Sequence, residues 1–191
     1  MAQRHYEQHG TFHITTNAKG RIPWCTLPGV PEIVIDNLVM TKNLYRAEVF
    51  AFCILPDHVH IVMRPGEKGV SAFMHSFKRN SSRDVHALIG ARHRSWGSRT
   101  PATVTDGEHH LRVVHEPHLR NGRDSTFHCD QIRWQNGFHD EHIRDATQRS
   151  AALTYVQYNA WRHGLCADPE GWPWSSLRYA HLMDPLEIWF D

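Results

Sequence analysis

The sequence predicts an α+β layer, an antiparallel sheet with helices on one face, and three observations predict it. A short alternating segment precedes a helical stretch, two apolar runs then flank a tight turn, and two more stretches with helical spacing follow. GTFHITTNA (10 to 18) alternates and is rich in Thr and Ile, which suits a first strand. VPEIVIDNLVMTKNLYR (about 30 to 46) sets Ile33, Leu38 and Leu44 among polar residues at helical intervals. VFAFCIL (49 to 55) and HVHIVM (58 to 63) are strands that the LPDH turn brings together as a hairpin, with Pro56 preset for the first corner.

VSAFMHSFKRNSSRDVHALIG places Val70, Phe73 and Phe77, then Val85, Leu88 and Ile89, at helical spacing around a softer NSS centre, so a second helix is expected, bent or broken near Asn80. Residues about 91 to 127 mix Gly, Pro, His and charge without periodicity and are expected to form a long insertion, with one strand near LRVVHE (111 to 116). In DATQ, Asp145 caps a helix with Gln148 three residues later. That helix should run to His163 and close at Gly164. The helices fall on one sheet face, which leaves the other available for a ligand.

At 191 residues, 40% hydrophobic and 21% charged, the chain is expected to form a single domain, residues 1 to 191. It has no run of the roughly 18 apolar residues that a membrane span requires, nor an apolar signal core at the N-terminus, so the expected address is the cytoplasm. Cys25, Cys53, Cys129 and Cys166 are scattered without a CxxC pair, as for reduced thiols. Net charge is +1, yet residues 64 to 99 carry eight basic residues against two acidic ones, a local net of +6. Such a run is an ordinary solvated face unless something else requires a polyanion.

His58 and His60 are the one HxH pair among 17 histidines, where random scatter would give roughly 1.5 such pairs, so the motif means little by itself. Its placement adds meaning. Alternate residues of a strand share a face, so Val59, Ile61 and Met63 enter a core while His58 and His60 point the other way. Two neutral imidazoles one strand step apart can converge on a divalent ion or a phosphate oxygen. In the last helix Tyr155 and Asn159 lie side by side at i and i+4. A Tyr hydroxyl is a poor nucleophile at its free pKa of about 10, which a nearby cation improves, and an amide carbonyl is a suitable hard oxygen ligand.

LPDHVHIV, the later WQNGFHDEHIRD, the helix TYVQYNAWRHGL and the close WPWSS together resemble the single-tyrosine HUH transposases, most of all the REP-associated tyrosine transposases. The resemblance covers residues from about 10 to 180, apart from the 91 to 127 insertion. It implies a ferredoxin-like or RRM-like antiparallel sheet with helices on one face and an HUH site on the other. It also implies a metal-dependent endonuclease and strand transferase that cleaves single-stranded DNA near hairpins, either REP-like or element ends, through a 5′-phosphotyrosine. By position, His58, His60 and Asn159 would be the metal ligands and Tyr155 the nucleophile. Mg²⁺ or Mn²⁺ would be the cofactor, with imidazoles tilting the choice towards Mn²⁺. The basic tract then has a partner, with Lys78, Arg79 and Arg83 as candidate backbone-phosphate contacts. Trp134, Trp161, Trp172 and Trp174 are candidates either for base stacking or for the core. Relatives act as monomers or as homodimers.

Two positions depart from the family pattern. Asp57 stands where Asn is common before the HUH pair, adding charge that would either strengthen metal binding or repel DNA. Ala160 replaces a Pro after Asn159 and should let the helix continue. An alternative function is a non-catalytic single-stranded nucleic-acid binding module of the same fold, which would carry aromatic residues where this chain has histidines. A third is a metal or hydrolytic site built on His139 and His142 in HDEH, a spacing that matches no metalloprotease pattern.

Overall fold

The computed structural model describes residues 10–97 and 132–186; the strand expected at 111 to 116, most of the insertion and Cys129 lie outside them. The alternating first segment forms β1 (Thr11–Asn17), whose even-numbered residues Phe12, Ile14 and Thr16 are buried. α1 (Val30–Tyr45) starts with Pro31 in its first turn, where a missing N–H costs nothing, and presents Val34, Ile35 and Leu38 inward. β2 (Glu48–Leu55) and β3 (His58–Arg64) form the expected hairpin, with Leu55 opposite His58 across a two-residue turn. Gly66 then passes so close to the carbonyls of Tyr45 and Arg46 that a Cβ there would collide with backbone.

α2 (Gly69–Gly97) is continuous. It is not broken near Asn80, and the buried Ser81 hydroxyl is satisfied there, donating to Phe77 O (2.7 Å) and accepting from Trp134 Nε1 (3.0 Å). The helix also runs past residue 91, so the insertion begins later than periodicity suggested. Phe73, Met74 and Phe77 of α2 and Val34 and Leu38 of α1 pack on Phe12, Ile14, Val59, Ile61 and Met63, forming the main core on one sheet face.

One strand was not expected. β4 (His139–Ile143) pairs antiparallel with β1, which gives a sheet of order β2-β3-β1-β4. Its sequence HDEHI has no apolar alternation because it is an edge strand whose outer residues face solvent. α3 (Ala146–Gln157) begins at the expected cap, Gln148 N–H donating to Asp145 Oδ1 (2.8 Å). Gln148 Oε1 reaches back to the amide of Arg144, one residue beyond the position a capping box uses.

The last helix does not run unbroken. Tyr158 (φ −97°, ψ 4°) interrupts it, and a short α4 (Asn159–Arg162) follows before Gly164 closes at φ 68°. α3 and α4 lie over part of the second sheet face, where Val156 and Ala160 meet Ala51, Cys53, Leu55 and Val62. The outer edge of β2 is covered as well. Ile54 N–H donates to Trp174 O (2.9 Å), Ser176 N–H to Phe52 O (2.9 Å), and Trp172 Nε1 to Ile54 O (2.8 Å). No described helix is long and apolar enough to cross a membrane, and Cys25, Cys53 and Cys166 form no disulfide.

Candidate active site

Strand register assembles the site. Thr15 stands opposite His60 and Asn17 opposite His58 on one side of β1, and His13 and Thr15 stand opposite Glu141 and His139 on the other. Period-two alternation therefore gathers His13, Thr15, His58, His60, His139 and Glu141 on the face away from the main core. α3 crosses this face and sets Tyr155 edge-on to His60 (ring centroids 5.4 Å) and His13 (5.6 Å). His13, Thr15, His60, His139, Glu141 and Tyr155 line a cleft of about 780 Å³ that Arg162 also borders. Its guanidinium lies 5.8 Å from the Tyr155 ring centre.

The two paired histidines are buried and held. Burial pulls His60 down to about 2, with His58 and His13 beside it adding to the fall. Burial lowers His58 too, against an opposing pull from Asp57. Both are therefore neutral at physiological pH and offer lone pairs, as metal ligation requires. His58 Nδ1 contacts Asp57 Oδ1 at 2.6 Å, and His60 Nδ1 contacts Thr15 Oγ1 at 3.0 Å and His13 Nε2 at 3.1 Å. Their Nε2 atoms have no hydrogen-bond partner among the described residues.

Asn159 follows Tyr155 by one turn. It is 1% exposed, and its Oδ1 has no hydrogen-bond partner among the described residues. Leaving such an atom bare costs about 1–3 kcal/mol, which a cation would offset. No described group of three His, Cys, Asp or Glu side chains is arranged to hold a metal. The chain offers instead two neutral imidazoles and this bare amide oxygen, a mixed nitrogen and oxygen donor set of the kind that suits Mn²⁺ or Mg²⁺.

Lys78, Arg79 and Arg83 are placed elsewhere. They ride on α2, which packs on the sheet face opposite the histidines. Lys78 Nζ donates to the carbonyls of Gln135 and Gly137 (both 2.6 Å), and burial pushes it down to about 8. Arg83 pairs with Asp84 (2.9 Å), while Arg79 is exposed. Of the tryptophans, Trp134 and Trp172 are core residues, Trp174 is partly buried and Trp161 is 46% exposed. HDEH does not form a site of its own, since His139 and His142 stand on opposite faces of β4 and the His142 ring packs against Phe12 (5.1 Å).

Sequence reasoning missed His13, Thr15, Arg21, Glu141 and Arg162. The first strand's alternation already put His13 and Thr15 on the non-core side, so their partnership with His60 was readable once a β1–β3 pairing was assumed. Nothing in the sequence announced Glu141.

Three likenesses bear on identity. Residues 7–102, half of the chain, match the family model described as IS200-like transposase, a span that includes His58 and His60 but ends before Tyr155. A Haemophilus influenzae protein, whose description as a REP-associated tyrosine transposase is provisional, is 26% identical over 137 residues. That alignment covers 72% of this chain, and the chain spans 62% of that relative's length. A solved REP-associated tyrosine transposase bound to a REP hairpin superposes with a TM-score of 0.61 at 18% identity, covering 100% of this chain and 92% of the other. At that identity the structural likeness shows a shared fold. The resemblance carried by the motifs is thus met independently by sequence and by fold, and the chain belongs to the IS200-like transposase family.

Proposed function

We propose that this chain is a metal-dependent single-stranded DNA nickase and strand transferase, acting near hairpins through a covalent phosphotyrosine. The observation that carries this reading is the position of Tyr155. It is 37% exposed at a cleft, edge-on to neutral His60 and His13, and one turn before the unpartnered amide oxygen of Asn159. A buried tyrosine with satisfied neighbours would be an ordinary core aromatic. This one has an accessible ring on a face lined with ligand-type side chains.

In the proposed step, the Tyr155 oxygen attacks a phosphodiester, forming the tyrosyl O–P bond as the P–O3′ bond breaks. The phenolic proton is lost, the departing 3′-oxygen takes one up, and the 5′-phosphate stays on the protein. A free 3′-hydroxyl reverses the step on the same or another strand, and because the ester conserves the bond, no nucleotide is consumed. An Mg²⁺ or Mn²⁺ ion on His58, His60 and Asn159 would polarise the phosphate and offset the charge that develops on it. Arg162 offers a positive charge beside the ring for the same phosphate. A hairpin is the partner in the solved relative, and it is the substrate we propose here. Phosphate contacts from Lys78, Arg79 or Arg83 would fall on a part of the hairpin remote from the scissile bond, because α2 lies across the sheet from Tyr155.

The test is incubation with labelled single-stranded hairpin DNA and Mn²⁺ or Mg²⁺, resolved on a denaturing gel. A protein–DNA adduct that vanishes with Tyr155→Phe is expected. An adduct surviving that change refutes the nucleophile, and binding without cleavage under either metal favours the non-catalytic module.

A further inference from the structure

We infer that Asp57, clamped by Arg21, is a positioning residue that fixes the tautomer of His58 and so presents its Nε2 as a metal ligand. This rests on the reading of His58 as a ligand and adds how the chain prepares it. A carboxylate only accepts hydrogen bonds, so the 2.6 Å contact between Asp57 Oδ1 and His58 Nδ1 requires the proton on Nδ1 and the lone pair on Nε2. The corresponding contacts of His60 dictate no such choice, because the Thr15 hydroxyl and the His13 imidazole each serve as donor or acceptor.

The second carboxylate oxygen is also held. Arg21 Nε donates to Asp57 Oδ2 (2.8 Å), and Arg21 NH1 donates to Asn17 Oδ1 (2.6 Å), the strand residue opposite His58. Asn17, Arg21, Asp57 and His58 therefore close a ring across the β1–β3 pair. Backbone bonds brace it: Ala18 N–H donates to Asp57 O (2.8 Å) and Cys25 N–H to Pro56 O (2.9 Å). Arg21 takes a left-handed backbone (φ 57°) directly after Gly20 (φ 67°), a conformation unfavourable for a residue with a Cβ. The strained turn is what brings its guanidinium back over the Pro56–Asp57 turn.

The arrangement also resolves what a negative charge does beside a DNA-cleaving site. The guanidinium largely neutralises the carboxylate, so Asp57 orients His58 without presenting a bare anion to phosphate. A carboxylate behind a ligating histidine raises ligand basicity, and losing such a partner typically weakens metal binding about 10–100-fold.

The experiment uses the full metal-free chain, with long-range ¹H–¹⁵N spectra of the histidine rings and Mn²⁺ titrations followed by the EPR signal of free Mn²⁺. Wild type is expected to show His58 protonated at Nδ1. Asp57→Ala should shift it towards Nε2 protonation and weaken Mn²⁺ about 10–100-fold. Asp57→Asn, whose amide oxygen still accepts from Nδ1, should keep the tautomer and most of the affinity. Wild-type His58 protonated at Nε2 overturns the inference without any variant, which covers the case in which Asp57→Ala does not fold. Undiminished Mn²⁺ binding by a folded Asp57→Ala overturns it while leaving the ligand role of His58 intact. A wild type that binds no Mn²⁺ overturns both, and His58→Ala supplies the reference for lost binding.

Discussion

Lys78→Met separates a structural from a DNA-binding role on α2. The ammonium donates to the carbonyls of Gln135 and Gly137 at 2.6 Å, and so ties α2 to the segment that leads into β4. Two hydrogen bonds from a charged donor are worth about 3–6 kcal/mol together. Burial opposes this by drawing the group from 10.5 to about 8. The side chain is only half-buried, so the relief on removing the charge is discounted to about 1–2 kcal/mol. The substitution keeps the aliphatic stem, and the net loss should be about 1–5 kcal/mol. For a chain of this size that lowers Tm by about 2–20 °C, read by thermal melting. Hairpin affinity should keep the wild-type salt slope. An unchanged Tm together with a salt slope shallower by about one would refute the reasoning and return Lys78 to the phosphate contacts.

Three other outcomes are expected. Metal-free protein should lose stability on acidification: folded His60 sits near 2 against 6.5 when free, so the unfolded chain binds the extra proton. Stability is then full above about pH 6.5 and falls towards pH 2, and the urea midpoint of His60→Gln should drop less between pH 7 and 4.5. Asp145→Ala leaves the Gln148 amide uncapped and should cost about 1 kcal/mol in urea unfolding, whereas Asp145→Ser should retain most of it. Trp172→Phe removes the donor to Ile54 O and should speed hydrogen exchange at the amides of Ile54 and Ser176; unchanged exchange there would show that the indole does not hold this edge.

The hairpin, the first helix and the Asp145 cap were legible because each is set by short-range chemistry: alternation, a proline corner and a side chain reaching its own helix end. β4 was not, since HDEHI becomes a strand only by hydrogen bonding to β1, far away in sequence. The break at Tyr158 has no residue that demands it; neither Gly nor Pro stands there, and Ala160 suits a continuing helix. The site divides the same way. His58, His60, Tyr155 and Asn159 form patterns at fixed spacing, whereas His13, Thr15 and Arg21 acquire meaning only through register and a left-handed turn.

The bonds from β2 to Trp174 and Ser176 bear on where the chain can be shortened. β4, at the far side of the sheet, carries His, Asp and Glu, whose charge and hydration discourage another strand from docking. β2 carries no such protection, for EVFAFCIL is almost entirely apolar. A truncation ahead of Trp172 would keep every residue proposed to react with DNA and yet uncover a hydrophobic edge ready to pair with its own kind. Such a fragment should precipitate or form fibrils, which makes the WPWSS segment a built-in solubility element.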